Sequence, residues 1–349
     1  SSVLKYPPLL RRRHRSPVLP FPLEGIDGRL GQLIFQEEGR CGMLRRTVLN
    51  ESAARKLFSN RVLRTVPGVL LAAKSIFGHH MLEHFLHQPG KTLSRLVTRD
   101  GNGRIKHIYN NEEIVRDNMI FDIDFFALNF LRSVSNACLT TGKNLRAEKH
   151  LHVSIQGIGA PGLHELRKTM EISPVGNPVP ALLTKGKDSG VDFSHPFFHS
   201  HDGETFVTVM TPDFAAEEMF ALSKRSSVPL PPDTLFLPVE GLTPSVAIDV
   251  LSNQFGGDRS SRLLIEAGPM VGDQLLSKVS TLYLTILEGL PDMQGQTTIE
   301  DLHSDGRKEE TLDDNFFLSQ GFHLVHECRA EVGDRRATLV TYTRRPYIS

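Results

Sequence analysis

Histidine spacing is the first feature that suggests chemistry. His79, His80, His84 and His87 lie close together around Glu83, and His80 and His84 have the i, i+4 spacing that puts two imidazoles on one helix face. Zinc needs a third protein ligand, none can be named, and the group reads as surface or half-buried histidines with no metal site expected. His195, His199 and His201 fall in a loop rich in proline and phenylalanine, where loop architecture is the simpler explanation. Cys41, Cys138 and Cys328 are far apart and form no C-x-x-C pair. An odd cysteine count in a chain this long argues against a disulfide framework and for a reducing compartment. No G-x-S-x-G elbow supports a serine nucleophile. Gly157-Ile158-Gly159-Ala160-Pro161-Gly162 resembles a phosphate cradle but lacks the spacing of either standard nucleotide loop, so a plain turn is expected.

Charge is the second feature. Lys+Arg and Asp+Glu number 40 each, so no overall field draws the chain to nucleic acid or to a membrane. The imbalance is local. Lys5, Arg11, Arg12, Arg13, His14 and Arg15 all precede the first acid, Glu24, and five prolines interrupt them. Proline fixes φ and withholds a backbone donor, so residues 1–24 read as an extended arm. The arm is either a solvated tail or a strip laid on RNA phosphates, with Lys5, Arg11, Arg12, Arg13 and Arg15 as the contacting cations. A start at Ser1 followed by this arm is compatible with a removed mitochondrial leader; the cytoplasm is the alternative location. No apolar run approaches the roughly 20 residues that span a bilayer, so no membrane partner is expected.

The elements that must position any site follow from periodicity. The 349 residues, 39% hydrophobic and 23% charged, are ample for a buried core. Residues 25–65 fit no template beyond a short strand at Leu33-Ile34-Phe35, and form an unassigned extension between the arm and a main domain at 66–349. Val69-Leu70-Leu71-Ala72-Ala73 is an apolar run consistent with a buried strand, and residues 122–135 have helical spacing before a strand at Ala137-Cys138-Leu139. Strands are expected at 181–183, 206–209, 263–265 and 282–286. A Thr243-Pro244 helix start and a short helix at 270–276 lie among them. Strand and helix alternate, which predicts a largely parallel sheet covered on both faces. Phe322–Val325 and Ala337–Val340 read as a closing antiparallel pair, and the acidic stretch 292–315 as a surface excursion.

Four segments in order carry a resemblance. Asp124-Phe-Phe-Ala-Leu-Asn-Phe-Leu-Arg132, running on through Ala137 to Asn144-Leu-Arg-Ala-Glu148, is similar to a helix D-x-x-A-L-x-x-L-R leading into a strand and turn D-A-V-L-V-G-x-G-T-V-R-A-E. Pro180–Thr184 and Asp192–Phe197 are similar to a strand and its following loop. Arg262-Leu-Leu-Ile-Glu-Ala-Gly-Pro269 is similar to L-L-x-E-G-G-P, and Ala73-Lys-Ser-Ile-Phe-Gly78 to a strand ending S-L-D-G. Over residues 66–345 the chain resembles the reductase domain of the riboflavin-biosynthesis deaminase-reductase, in the dihydrofolate reductase-like superfamily. The resemblance implies a three-layer α/β fold, with a mostly parallel central sheet and an antiparallel C-terminal strand pair. It also implies an NADPH-dependent reductase of a ribosylamino-pyrimidine.

Carried over residue by residue, the cofactor positions are Thr141, Gly142, Lys143, Asn144, Arg146, Glu266, Ala267, Gly268 and Pro269, and the substrate positions are Ser75, Phe77 and Gly78. Thr141 and Lys143 stand where the pattern has glycine, Ala267 replaces another glycine, and Phe77 replaces the acid. A ring cannot accept the hydrogen bonds of a carboxylate. On this reading the pocket is vestigial, with no catalytic residue and no cofactor expected. The chain is then a pseudoenzyme serving protein partners in a large complex, such as a mitochondrial ribosome or other organellar ribonucleoprotein, with ribosomal RNA on its arm. The alternative is the working NADPH-dependent reductase.

Overall fold

A computed structural model describes residues 45–99, 105–107, 119–186, 190–199, 206–257, 260–288, 314–333 and 335–344. The arm, the short strand expected at 33–35 and most of the acidic stretch 292–315 lie outside the described residues.

The expected three-layer architecture is present. The strands are β1 (Arg45–Leu49), β2 (Gly90–Arg99), β3 (Ile105–His107), β4 (Ala137–Thr141), β5 (Val179–Leu183), β6 (Thr208–Pro212), β7 (Leu235–Val239), β8 (Arg262–Ile265), β9 (Thr281–Glu288), β10 (His323–Val332) and β11 (Arg335–Thr343). They form one sheet in the order β1-β10-β11-β9-β2-β8-β4-β5-β6-β7, with β3 paired to β2. From β9 through β7 all neighbours on that path are parallel, while β11 runs antiparallel to both β9 and β10. The inner strands β4, β5 and β9 are near-continuous apolar or β-branched runs, as burial on two faces requires.

Ten helices cover the two faces among the described residues: α1 (Glu51–Leu57), α2 (Asn60–Leu63), α3 (Val66–His87), α4 (Met119–Ser133), α5 (Gly142–Ala147), α6 (Ala160–Thr169), α7 (Ala216–Lys224), α8 (Pro244–Gln254), α9 (Pro269–Leu275) and α10 (Asp314–Ser319). One core joins α1–α4 and α6 to one face of the sheet; the other joins α8, Leu275 of α9 and Phe317 of α10 to the opposite face. Residues 45–65, for which no template was found, enter the first core: β1 pairs in parallel with β10, and Leu49, Ala54, Leu57 and Leu63 are fully buried.

Residues 69–73 are helical, not a strand. A short apolar run is the same in a buried strand and a buried helix, and the surroundings decide between them. Thr65 caps the helix by accepting from the Gly68 amide, Pro67 sits in the first turn, and the alanine- and leucine-rich run is buried all round. Gly78 interrupts α3 at φ 75°, ψ 163°. A Cβ there would stand 2.6 Å from Nδ1 of His326 on β10, so glycine sets both the break and the close approach of α3 to the sheet.

Candidate functional site

Parallel strands present their ligand-binding potential at their carboxyl ends, where loops lead into helices. At the end of β4, Thr141 caps α5 by accepting from the Asn144 amide at 3.4 Å. At the end of β8, Glu266 turns its carboxylate towards α4. Arg132 donates to both of its oxygens, Nε to Oε1 and Nη2 to Oε2, each at 2.7 Å, in the bidentate geometry suited to a buried pair. The Cys138 thiol donates to Oε1 at 3.0 Å, and burial pushes that thiol well above its ordinary value, so it is not a nucleophile. The Glu266 carbonyl accepts from Asn144 Nδ2 at 2.8 Å and from Thr140 Oγ1 at 3.0 Å. The two resemblance motifs therefore meet: α4, β4, α5 and the 266–269 turn are tied into one frame.

Two of the three glycine replacements, Thr141 and Ala267, do not project from this frame. Thr141 is 6% exposed, with its hydroxyl spent on the cap, and Ala267 is 5% exposed, with its methyl in the apolar core beneath the turn. Lys143 is half-buried at the first turn of α5; burial lowers its pKa, and Arg146 nearby lowers it further. Gly142 and Asn144 are buried in α5, and Gly268 caps α9 in extended conformation at φ −60°. Arg146 is exposed.

Ser75, Phe77 and Gly78, expected as substrate positions, lie in the interior of α3. All three are buried in α3, where Ser75 donates to the Ala72 carbonyl and Phe77 packs on Phe85, Phe130 and Tyr283 at centroid distances of 5.2, 5.4 and 5.2 Å. The central strand of the sheet is β2, which ends at Arg99.

Sequence reasoning missed Asp124. It lies on α4 two turns before Arg132, and Thr285 of β9 donates a short hydrogen bond to its carboxylate while bonding the Tyr283 hydroxyl at 3.1 Å. Burial raises the Asp124 pKa to about 6 against the Thr285 bond, with Glu266 raising it and Arg132 lowering it. The available signal was a carboxylate on the apolar face of an amphipathic helix, among Ile120, Ile123, Phe126 and Ala127.

His195 and His199 hold their loop together through backbone contacts. His195 accepts from the Phe197 amide through Nδ1, and its Nε2 lies 2.9 Å from the Glu148 carbonyl, fixing the 192–198 loop to the end of α5. No cluster of three metal-ligating side chains occurs among the described residues, and none of their helices is long and apolar enough to cross a membrane.

No family model and no curated protein matches the sequence. Among solved structures, a pyrimidine reductase-like protein from Corynebacterium diphtheriae superposes with a TM-score of 0.53 at 18% identity, over 78% of this chain and 98% of that one. A diaminohydroxyphosphoribosylaminopyrimidine deaminase/5-amino-6-(5-phosphoribosylamino)uracil reductase from Thermotoga maritima gives 0.41 at 14% identity, over 76% of this chain and 59% of that one. Dihydrofolate reductase from Enterococcus faecalis, solved with NADP(H), gives 0.31 at 11% identity, over 74% and 98%. Only the first is close enough to carry an argument, and at that identity it speaks for architecture alone: the chain has the fold of a pyrimidine reductase-like protein.

Proposed function

We propose that the chain is an NADPH-dependent reductase of riboflavin-pathway type, acting on a ribosylamino-pyrimidine, with Asp124 as its proton donor. The observation that carries this reading is the Asp124 carboxyl, poised at about 6 beside the carboxyl ends of the parallel strands and oriented by Thr285. Perturbed carboxyls concentrate at functional sites because proton transfer needs a pKa near the working pH. Reducing the C=N bond of an opened ribosylamine adds a hydride to carbon and a proton to nitrogen. NADPH, when bound, supplies the hydride. At pH 7 a group of pKa about 6 keeps roughly a tenth of its population protonated, and that fraction is the donor.

The residues fit the cofactor. Thr141 and Ala267 are turned inward, leaving backbone at both turns, and Lys143 and Arg146 would hold phosphate oxygens as two cations on one short helix. Titrating the full chain with NADPH and following Tm tests the reading. A saturable rise is expected, because binding only to the folded state must stabilise it. No shift at millimolar NADPH would overturn it.

A second reading, a non-catalytic component of a large complex such as an organellar ribonucleoprotein, is favoured by the basic arm, which a small-molecule reductase does not need. Deleting residues 1–24 should then abolish salt-sensitive RNA association. Association that survives the deletion would remove its support.

A further inference from the structure

Arg95 points from the middle of β2 into the apolar layer beneath α9, with Leu93 and Val97 beside it on the strand and Leu284 of β9 opposite. Its side chain is 2% exposed. Gly272 of α9 makes this possible: a Cβ there would stand 2.1 Å from Nη2, so only a glycine lets the guanidinium lie against the helix backbone. The nearest counter-charge is Asp273, whose Oδ1 is 2.7 Å from Nη2 and whose side chain is 39% exposed. That contact brings opposite charges together without a directed hydrogen bond. None of the described residues accepts from Nε, Nη1 or Nη2.

A planar guanidinium is built to donate in pairs to an oxyanion, and one buried without acceptors is strongly disfavoured. The single oxygen offered by Asp273 is a poor match for that fork, and its exposure leaves the carboxylate free to swing into water. We propose that Arg95 is the floor of an oxyanion site that takes a phosphate, free or as a monoester, and that Asp273 plugs this site in the unliganded protein. The site lies behind the 266–269 turn, on the face of the sheet opposite Asp124 and Glu266. It is independent of the reductase reading, because it needs no nicotinamide.

Calorimetric titration of the full chain with inorganic phosphate, and separately with ribose 5-phosphate, at chloride-matched ionic strength, tests the proposal. Asp273→Asn keeps the plug's size and removes its charge, and is expected to bind phosphate at least tenfold tighter than the unaltered chain. Preference for ribose 5-phosphate would identify a phosphorylated substrate as the source, and preference for inorganic phosphate a free ion. Adding Arg95→Lys to Asp273→Asn retains a charge but loses the fork, and should give back most of the gain. Equal phosphate affinity with and without Asp273→Asn, or a gain that survives Arg95→Lys, would overturn the proposal. NADPH is absent from every arm, so the result leaves the reductase reading to its own test.

Discussion

Asp124 and Arg167 show two opposite ways of burying a charge. Asp124 is held above its ordinary value of 3.8, at about 6, chiefly by burial. Between those two values the folded chain binds a proton that the unfolded chain has released. Stability from this group is therefore complete below 3.8 and is lost as pH rises through 6. Asp124→Asn removes the charge, so its Tm should match the unaltered chain near pH 3.5 and exceed it at pH 8. The ceiling is about 3 kcal/mol, from roughly two pKa units. The same variant should lose the fall in NADPH-dependent rate as pH rises through about 6, while a purely structural Asp124 would leave that fall in place. Arg167 is fully buried and reaches backbone carbonyls. It donates to the carbonyls of Arg132, Ser133, Ser135, Pro174 and Asn177, three of which close the C-terminal turn of α4 and its exit. The partial negative charge at a helix end favours a guanidinium there. Arg167→Met strands five acceptors and should cost about 3–5 kcal/mol in urea unfolding. Arg167→Lys should recover only part of that, since one ammonium has three donors and no fork. A loss below 1 kcal/mol for the methionine variant would show that water replaces the clamp.

At the scale of elements, legibility followed the strength of local signals. α4, α8, β4, β8, β9 and the β10–β11 pair were readable because caps, periodicity or alternation agreed with burial. α3 was misread because an apolar run buried on every side carries no period to distinguish helix from strand. That error propagated: once Ala73–Gly78 was placed in a strand, Phe77 had to stand where an acid belonged, and β2 was overlooked because Arg95 interrupts its apolar pattern. The orientation of Thr141 and Ala267 was beyond a one-dimensional reading, since whether an added methyl meets ligand or core depends on the turn's three-dimensional course. Gly78 tests the corrected element. Its φ of 75° and the His326 ring 2.6 Å from a would-be Cβ both penalise a side chain, so Gly78→Ala should destabilise by about 2–4 kcal/mol. Gly241 is also at positive φ but has nothing within 4 Å of a Cβ, so Gly241→Ala should cost only about 1 kcal/mol. Equal losses at the two sites would mean that the α3–β10 approach relaxes freely.

For the whole molecule, the main consequence is that the extension before α3 belongs to the fold. β1 adds a parallel strand to the antiparallel end of the sheet, and α1 and α2 bury Ala54, Leu57, Phe58 and Leu63 against α3, α4 and α6. Burying one large apolar side chain contributes about 1.5–3 kcal/mol, so Leu49, Leu57 and Phe58 together supply an amount comparable with the 5–15 kcal/mol net stability of a typical domain. The join is reinforced where Asn50 caps α1 through the Ala53 amide and where the Gly333 amide reaches Glu51 from the β10–β11 turn. A chain shortened by residues 1–58 should therefore be far less stable than one shortened by residues 1–24, which loses only the arm. Comparing urea midpoints of the two truncations decides the point. Closely similar midpoints would mean that β1 and α1 lie on a sheet that is complete without them. A large drop would make the extension part of the same cooperative unit that carries Asp124, with α1 packed against the helix that positions it.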